Sequence, residues 1–202
     1  MNISTGRFKG RRLESVDSLS TRPTLARVKE SLFCMLDGAI EGKTCLDLFA
    51  GSGALGIEAI SRGAKKVVFV DSSRDALRVL NKNLRGMEEW AQVIENDFVS
   101  ALAGLRGVKF DVVFLDPPYA NVNSSMYFGN FNNTDFFKFL ENLNCKWILT
   151  YDGKSGEIDH TYDVPEFLYK EHLYLESGNS SFRNLKKNVE KTITYESLYI
   201  NF

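Results

Sequence analysis

The stretch TCLDLFAGSGALGIEAISRGAKKVVFVD, residues 44–71, decides the fold. TCLDLFAG is a short apolar run entering a glycine turn, GALGIEAISRGA has helical spacing, and KVVFVD is β-branched and ends on an acid. The order is strand, helix, strand. Within it, GSGALG at 51–56 fits the pattern G-x-G-x-x-G, and Asp71 stands at the end of the next strand.

The alternation continues on both sides. SSRDALRVLNKNLRGM reads as a second amphipathic helix, AQVIENDF as a third strand, VSALAGLRG as a short helix and FDVVFLDPPY as a fourth strand. Upstream, TRPTLARVKESLFCMLDG reads as a helix that Thr24 caps and Asp37-Gly38 stops. Beyond Tyr119 comes a polar, aromatic loop over 120–134, then a helix in TDFFKFLENL and strands in KWILTYDG, EHLYLESG and TITYESLYINF. The basic, Asn/Ser-rich run NSSFRNLKKNVEK reads as a turn region between the last two. Without crossover helices, these final strands are expected to pair antiparallel. The expectation is an α/β, Rossmann-like doubly wound fold: a seven-stranded, mostly parallel sheet with an antiparallel C-terminal strand, in one domain over 1–202.

Composition is ordinary for a globular chain of 202 residues, 44% hydrophobic and 25% charged. The start carries charge but no apolar run of the signal-peptide kind, and no later stretch reads as a membrane span. A cytoplasmic protein with no membrane partner is expected. Cys34, Cys45 and Cys145 are far apart, and only His160 and His172 offer imidazoles, so neither disulfide nor metal is expected and each cysteine reads as core filler. The net charge of −1 hides an asymmetry. Arg7, Lys9, Arg11, Arg12, Arg22, Arg27 and Lys29 face only Glu14 and Asp17 in the first 29 residues. Residues 1–23 therefore read as a basic arm suited to a polyanion, with Arg7, Lys9, Arg11, Arg12 and Arg22 as contacts.

The glycine turn and Asp71 suit a nucleotide-like cofactor, the acid accepting from ribose hydroxyls. Asp47 discriminates between candidates. At the strand end, its carboxylate repels a pyrophosphate and attracts an ammonium, which favours S-adenosylmethionine over a nicotinamide dinucleotide. Asp47, Phe49, Gly51, Gly53, Asp71 and Ser72 are the expected cofactor residues, and Asp97 and Phe98 are placed at the adenine. A helix-capping role for Asp97 is the competing reading.

Asp116-Pro117-Pro118-Tyr119 is the most specific signal. An exocyclic amino nitrogen on a base is a poor nucleophile because its lone pair is delocalised into the ring. Asp116 and the carbonyl of Pro117 suit the two N–H hydrogens, the prolines restrict the backbone, and Tyr119 offers a stacking face for a base rotated out of its strand. Tyr127 and Phe131, in the loop at 120–134, are further substrate candidates; the exposed aromatics there suit a partner interface equally well. No cysteine lies near the motif, which argues against methylation at cytosine C5.

These residues resemble two families. ISTGRFKGRRL, TRPTLARVKESLF, LDLFAGSGALGIEAISRGA and VVFLDPPYA, within the first 120 residues, look like the 16S ribosomal RNA guanine-N2 methyltransferases. MYFGNF, KWILTYDG, ESGNSSFRNL and TYESLYIN look like DNA adenine-N6 methyltransferases of the Dam-like (D12) class. Both resemblances imply a class I methyltransferase fold, S-adenosylmethionine held at Asp47, Gly51, Gly53 and Asp71, and a target base at Asp116 to Tyr119. The C-terminal segments surround the target and are given more weight. The expectation is adenine N6 in DNA, with guanine N2 in ribosomal RNA as the alternative and a non-catalytic nucleic-acid-binding subunit as a third reading. The short chain leaves little room for target recognition, so a partner subunit is a further expectation.

Overall fold

The computed structural model describes residues 1–16, 26–36, 38–117, 133–179 and 193–202. Thr24, Arg22, Pro118, Tyr119, Tyr127 and Phe131, most of the 120–134 loop and nearly all of the basic turn at 179–191 lie outside the described residues.

The strand-helix-strand reading of 44–71 holds as β1 (Thr44–Asp47), α2 (Ala54–Ser61) and β2 (Lys66–Asp71). α1 (Ala26–Met35) precedes them, and α3 (Arg74–Asn83), β3 (Ala91–Glu95), α4 (Phe98–Gly104) and β4 (Val112–Leu115) follow. The remainder comprises α5 (Asn133–Glu141), β5 (Lys146–Ser155), β6 (Ile158–Asp159), β7 (Glu171–Asn179) and β8 (Ile193–Ile200). α3 shows why such segments fold locally. Ser73 caps it by accepting from Ala76 N–H, Asp75 sits in its first turn and Lys82 in its last, matching the helix dipole at both ends.

The sheet order is β3-β2-β1-β4-β5-β8-β7. The first four pairings on this path are parallel, and β8 runs antiparallel to both β5 and β7. The expected seven strands with one reversed strand near the C-terminus are therefore present. One short strand was not anticipated: β6 pairs with the end of β5, off the main path. α1, α2 and α3 cover one face, where Leu32, Phe33, Ile57 and Leu80 pack on Val67, Phe69 and Phe114. α4 and α5 cover the other, where Ala101, Phe136 and Leu140 meet Leu46, Val113 and Leu149. Strand order reverses between β1 and β4, and the carboxyl ends at such a switch point form the natural ligand crevice.

The first 16 residues are not a free arm. They form a tight reversal, with Ile3 N–H donating to Arg11 O, Gly10 N–H to Ile3 O and Leu13 N–H to Met1 O. Ile3 and Leu13 are core residues. The cysteines also differ from expectation in one case: Cys45 is buried, with its thiol pushed up to about 12 by burial, whereas Cys34 is exposed. No helix among the described residues is long and apolar enough to cross a membrane.

Candidate active site at the carboxyl ends of the strands

Side chains two apart on a strand project to the same face, and neighbours in register do likewise. Asp47 on β1 is in register with Phe69 on β2 and Phe114 on β4, so Asp71 and Asp116, each two residues further on, join it on the face covered by α1 to α3. Three carboxylates thus meet at the carboxyl edge, on both sides of the switch point.

Each is held differently. Asp47 is buried, and its Oδ2 accepts from Gly56 N–H at 2.9 Å. Burial pushes its carboxyl up to about 7; the Gly56 hydrogen bond opposes the rise, and Asp116 and Asp71 add to it. Asp47 therefore anchors the glycine turn from below, a role the sequence reading had not assigned. Asp71 Oδ2 accepts from Gly51 N–H at 2.7 Å and its Oδ1 from Ser73 N–H at 2.8 Å. Burial raises the Asp71 carboxyl, and the N–H groups of Ser73, Gly51 and Ser72 pull it back only partly. The Ser72 side chain is exposed, so its contribution comes from the backbone. Asp116 is half-buried, and Thr150 Oγ1 lies 2.8 Å from its Oδ1.

The turn needs its glycines for separate reasons. Gly51 and Gly53 have φ of 53° and 82°, in the left-handed region, and Gly53 is the residue from which α2 starts. Gly56 has an ordinary φ, but a Cβ there would collide with the ring of Phe69 and with Val67, so it sets how closely α2 lies on β2. Together they bring backbone near the crevice and fix its wall.

Phe49, Phe98 and Phe136 form an aromatic group, with Phe49 and Phe98 centroids 5.7 Å apart and Phe136 at 5.9 and 6.2 Å from them. Phe98 opens α4, and Asp97 is its cap, accepting from Ser100 N–H at 3.0 Å. The capping role of Asp97 is thus present, with its side chain exposed at the crevice side of α4's start.

The basic contacts are not gathered at this edge. Arg7 N–H donates to Ser61 O at the end of α2, and its guanidinium lies 4.6 Å from the Trp90 ring, next to the start of β3. Those are the amino ends of the strands, opposite the acids. Arg11 donates to Asn83 O and Arg85 O at the end of α3, so this side chain caps a helix. Lys9 and Arg12 are exposed on the same segment. Ile3 and Leu13 bury the segment's two ends, and that burial fixes where the cations of 7–12 lie, at the opposite end of the sheet from the acids.

The model of the family described as Conserved hypothetical protein 95 matches residues 1–139, which include every acid of the site. The chain belongs to this family. It is 47% identical over 123 residues to YlbH of Bacillus subtilis, named provisionally as an rRNA methyltransferase, covering 59% of this chain and 67% of that protein. It is 44% identical over 123 residues to Ribosomal RNA small subunit methyltransferase D of Haemophilus influenzae, covering 59% and 64%. The aligned stretch thus spans about two thirds of these relatives. A solved structure of yhhF from Escherichia coli, named provisionally as a methyltransferase, superposes with a TM-score of 0.62 at 26% identity, covering 98% of this chain and 97% of that one. The fold is the Rossmann-like fold of methyltransferases over nearly the whole chain, including the C-terminal strands. None of these three is named as a DNA adenine methyltransferase, and the weight given to the C-terminal segments finds no support in them.

Proposed function

We propose that this chain is a methyltransferase that transfers the methyl group of S-adenosylmethionine to the exocyclic N2 of a guanine in small-subunit ribosomal RNA. The observation that carries the reading is the row of Asp47, Asp71 and Asp116 around a glycine turn at the switch point, in a chain whose family relatives are named for rRNA methylation. The DNA adenine reading gives way to the rRNA one.

The site fits the cofactor chemically. Three neighbouring carboxylates, one of them desolvated enough to rise to about 7, make an edge that favours a cation and opposes a pyrophosphate. S-adenosylmethionine is cationic at its sulfonium and its ammonium, and it supplies an activated methyl group. Both Asp71 oxygens accept backbone N–H groups, and a carboxylate has lone pairs beyond these for ribose hydroxyls. Asp97 and Phe98 stay candidates for the adenine, by the exposed cap and the ring beside it.

Asp116 is the residue at the reacting nitrogen. Its carboxylate accepts one N–H of the amino group, turning the lone pair toward the methyl, and the carbonyl of Pro117 suits the second. S-adenosylmethionine, bound at Asp47 and Asp71, would supply the methyl group from its sulfonium, and the methylated nitrogen, held by Asp116, sheds a proton to solvent. Pro118 and Tyr119 complete the motif, with Tyr119 as the stacking face. Lys9 and Arg12, at the far end of the sheet, suit phosphates distant from the target base.

The test is methyl transfer from labelled S-adenosylmethionine to small-subunit ribosomal particles and, separately, to duplex DNA, with nucleoside analysis. N2-methylguanine in RNA supports the reading; N6-methyladenine in DNA overturns it. Asp116→Ala is expected to abolish transfer while S-adenosylmethionine affinity stays within about threefold of wild type.

A further inference from the structure

We infer that Thr150 is a positioning residue for the Asp116 carboxylate in the reaction proposed above, on which this inference rests. Leu115 and Leu149 are the last paired positions of β4 and β5, so Asp116 and Thr150 are the next neighbours and share a face of the sheet. Thr150 Oγ1 lies 2.8 Å from Asp116 Oδ1 and 3.3 Å from Leu115 O. With one hydrogen to give, the hydroxyl donates to the nearer, charged oxygen, the stronger of the two bonds.

The surroundings make this hydroxyl conspicuous. Thr150 is only 4% exposed and lies in a strand whose other central residues, Trp147, Ile148, Leu149 and Tyr151, are all core. Valine has the same shape and no polar atom to satisfy, so packing alone gives no reason for threonine here. β-Branching also holds the hydroxyl in a restricted χ1 range, which fixes the direction of donation.

The neighbourhood explains the need. Asp47 and Asp71 share the edge, and the mutual repulsion evident at Asp47 tends to turn a third carboxylate away. A donor fixed on β5 holds Asp116 Oδ1 against that push. The plane of the carboxylate is then set before the base arrives, and with it the direction from which an amino hydrogen is accepted. Misorientation by a fraction of an ångström at such a group slows transfer without loosening the cofactor.

Thr150→Val, Thr150→Ala and Thr150→Ser are compared with wild type on small-subunit particles. The expected result is a fall in kcat of about ten- to a hundredfold for T150V and T150A. KM for S-adenosylmethionine should stay within about twofold, and T150S should recover most of the rate. Thr150→Ala is measured beside Thr150→Val so that a packing fault peculiar to one does not decide the outcome, and thermal melts accompany both. Wild-type kcat in T150V and T150A overturns the positioning role and leaves the proposed substrate standing. Equal losses in kcat and cofactor affinity also overturn it, by showing a merely structural residue. Absence of transfer by the wild-type chain overturns the substrate reading, and this inference with it.

Discussion

Lys29 Nζ lies 2.6 Å from Glu58 Oε2, and both side chains are sealed from solvent. Glu58 also accepts from Ser4 N–H and Oγ–H, Thr5 N–H and Arg62 Nε. Lys29 donates further to Asn2 O. One buried pair therefore ties α1, α2 and the N-terminal segment together behind the glycine turn. Desolvation alone would raise the Glu58 carboxyl, but the bonds from Lys29 and Ser4 hold it below its usual range.

Breaking this pair from one side is expected to be severe. Lys29→Met or Glu58→Gln should each cost about 3–5 kcal/mol, because a buried charge or a set of donors is left unmatched. A lowered folded value means that the Glu58 contribution is complete above about pH 4.5 and is lost as pH falls further. Denaturant unfolding at neutral and acid pH measures both effects.

Asp47 has the opposite sign. Its carboxyl rises from 3.8 to about 7 on folding, so the folded chain holds the extra proton and stability declines as pH climbs between those values. Asp47→Asn keeps an oxygen for Gly56 N–H and removes the charge. The variant should lose this pH dependence, gain up to roughly 4 kcal/mol at pH above 7, and bind S-adenosylmethionine less tightly. Unfolding curves and cofactor titration across the same range decide it.

Gly56→Ala tests the wall of the crevice. The added methyl meets Phe69 and Val67, both fully buried, so α2 must lift away from β2. A loss of about 1–3 kcal/mol is expected, with weaker cofactor binding, both readable by thermal shift with and without S-adenosylmethionine.

The cations of residues 7–12 should separate by role. Arg11→Ala removes donors from the Asn83 and Arg85 carbonyls and is expected to cost about 1–2 kcal/mol of stability. Lys9→Glu with Arg12→Glu should leave stability near wild type and weaken binding to small-subunit particles, with a shallower salt dependence. Affinity unchanged by the double substitution would show that these cations do not touch RNA.

The sequence by itself determined the α/β alternation, because short continuous apolar, β-branched runs alternate with segments of 3.6 spacing over 44–115 and each helix there carries local start or stop chemistry. It also determined the glycine turn and placed Asp47, Asp71 and Asp116 at strand ends. KWILTYDG and TYESLYIN carried the resemblance to the Dam-like class. They are β5 and β8, where Trp147, Tyr151, Leu198 and Tyr199 are buried, so their aromatic composition answers to the core. Only the tertiary structure decided the rest, since each remaining fact depends on residues far apart in sequence. Glu58 meets Lys29 and Ser4, and Thr150 reaches Asp116, through strand and helix pairings that no local pattern records. Residues 7–12 read as a basic arm in sequence. Burial of Ile3 and Leu13 against the far end of the sheet is what carried them away from the acids.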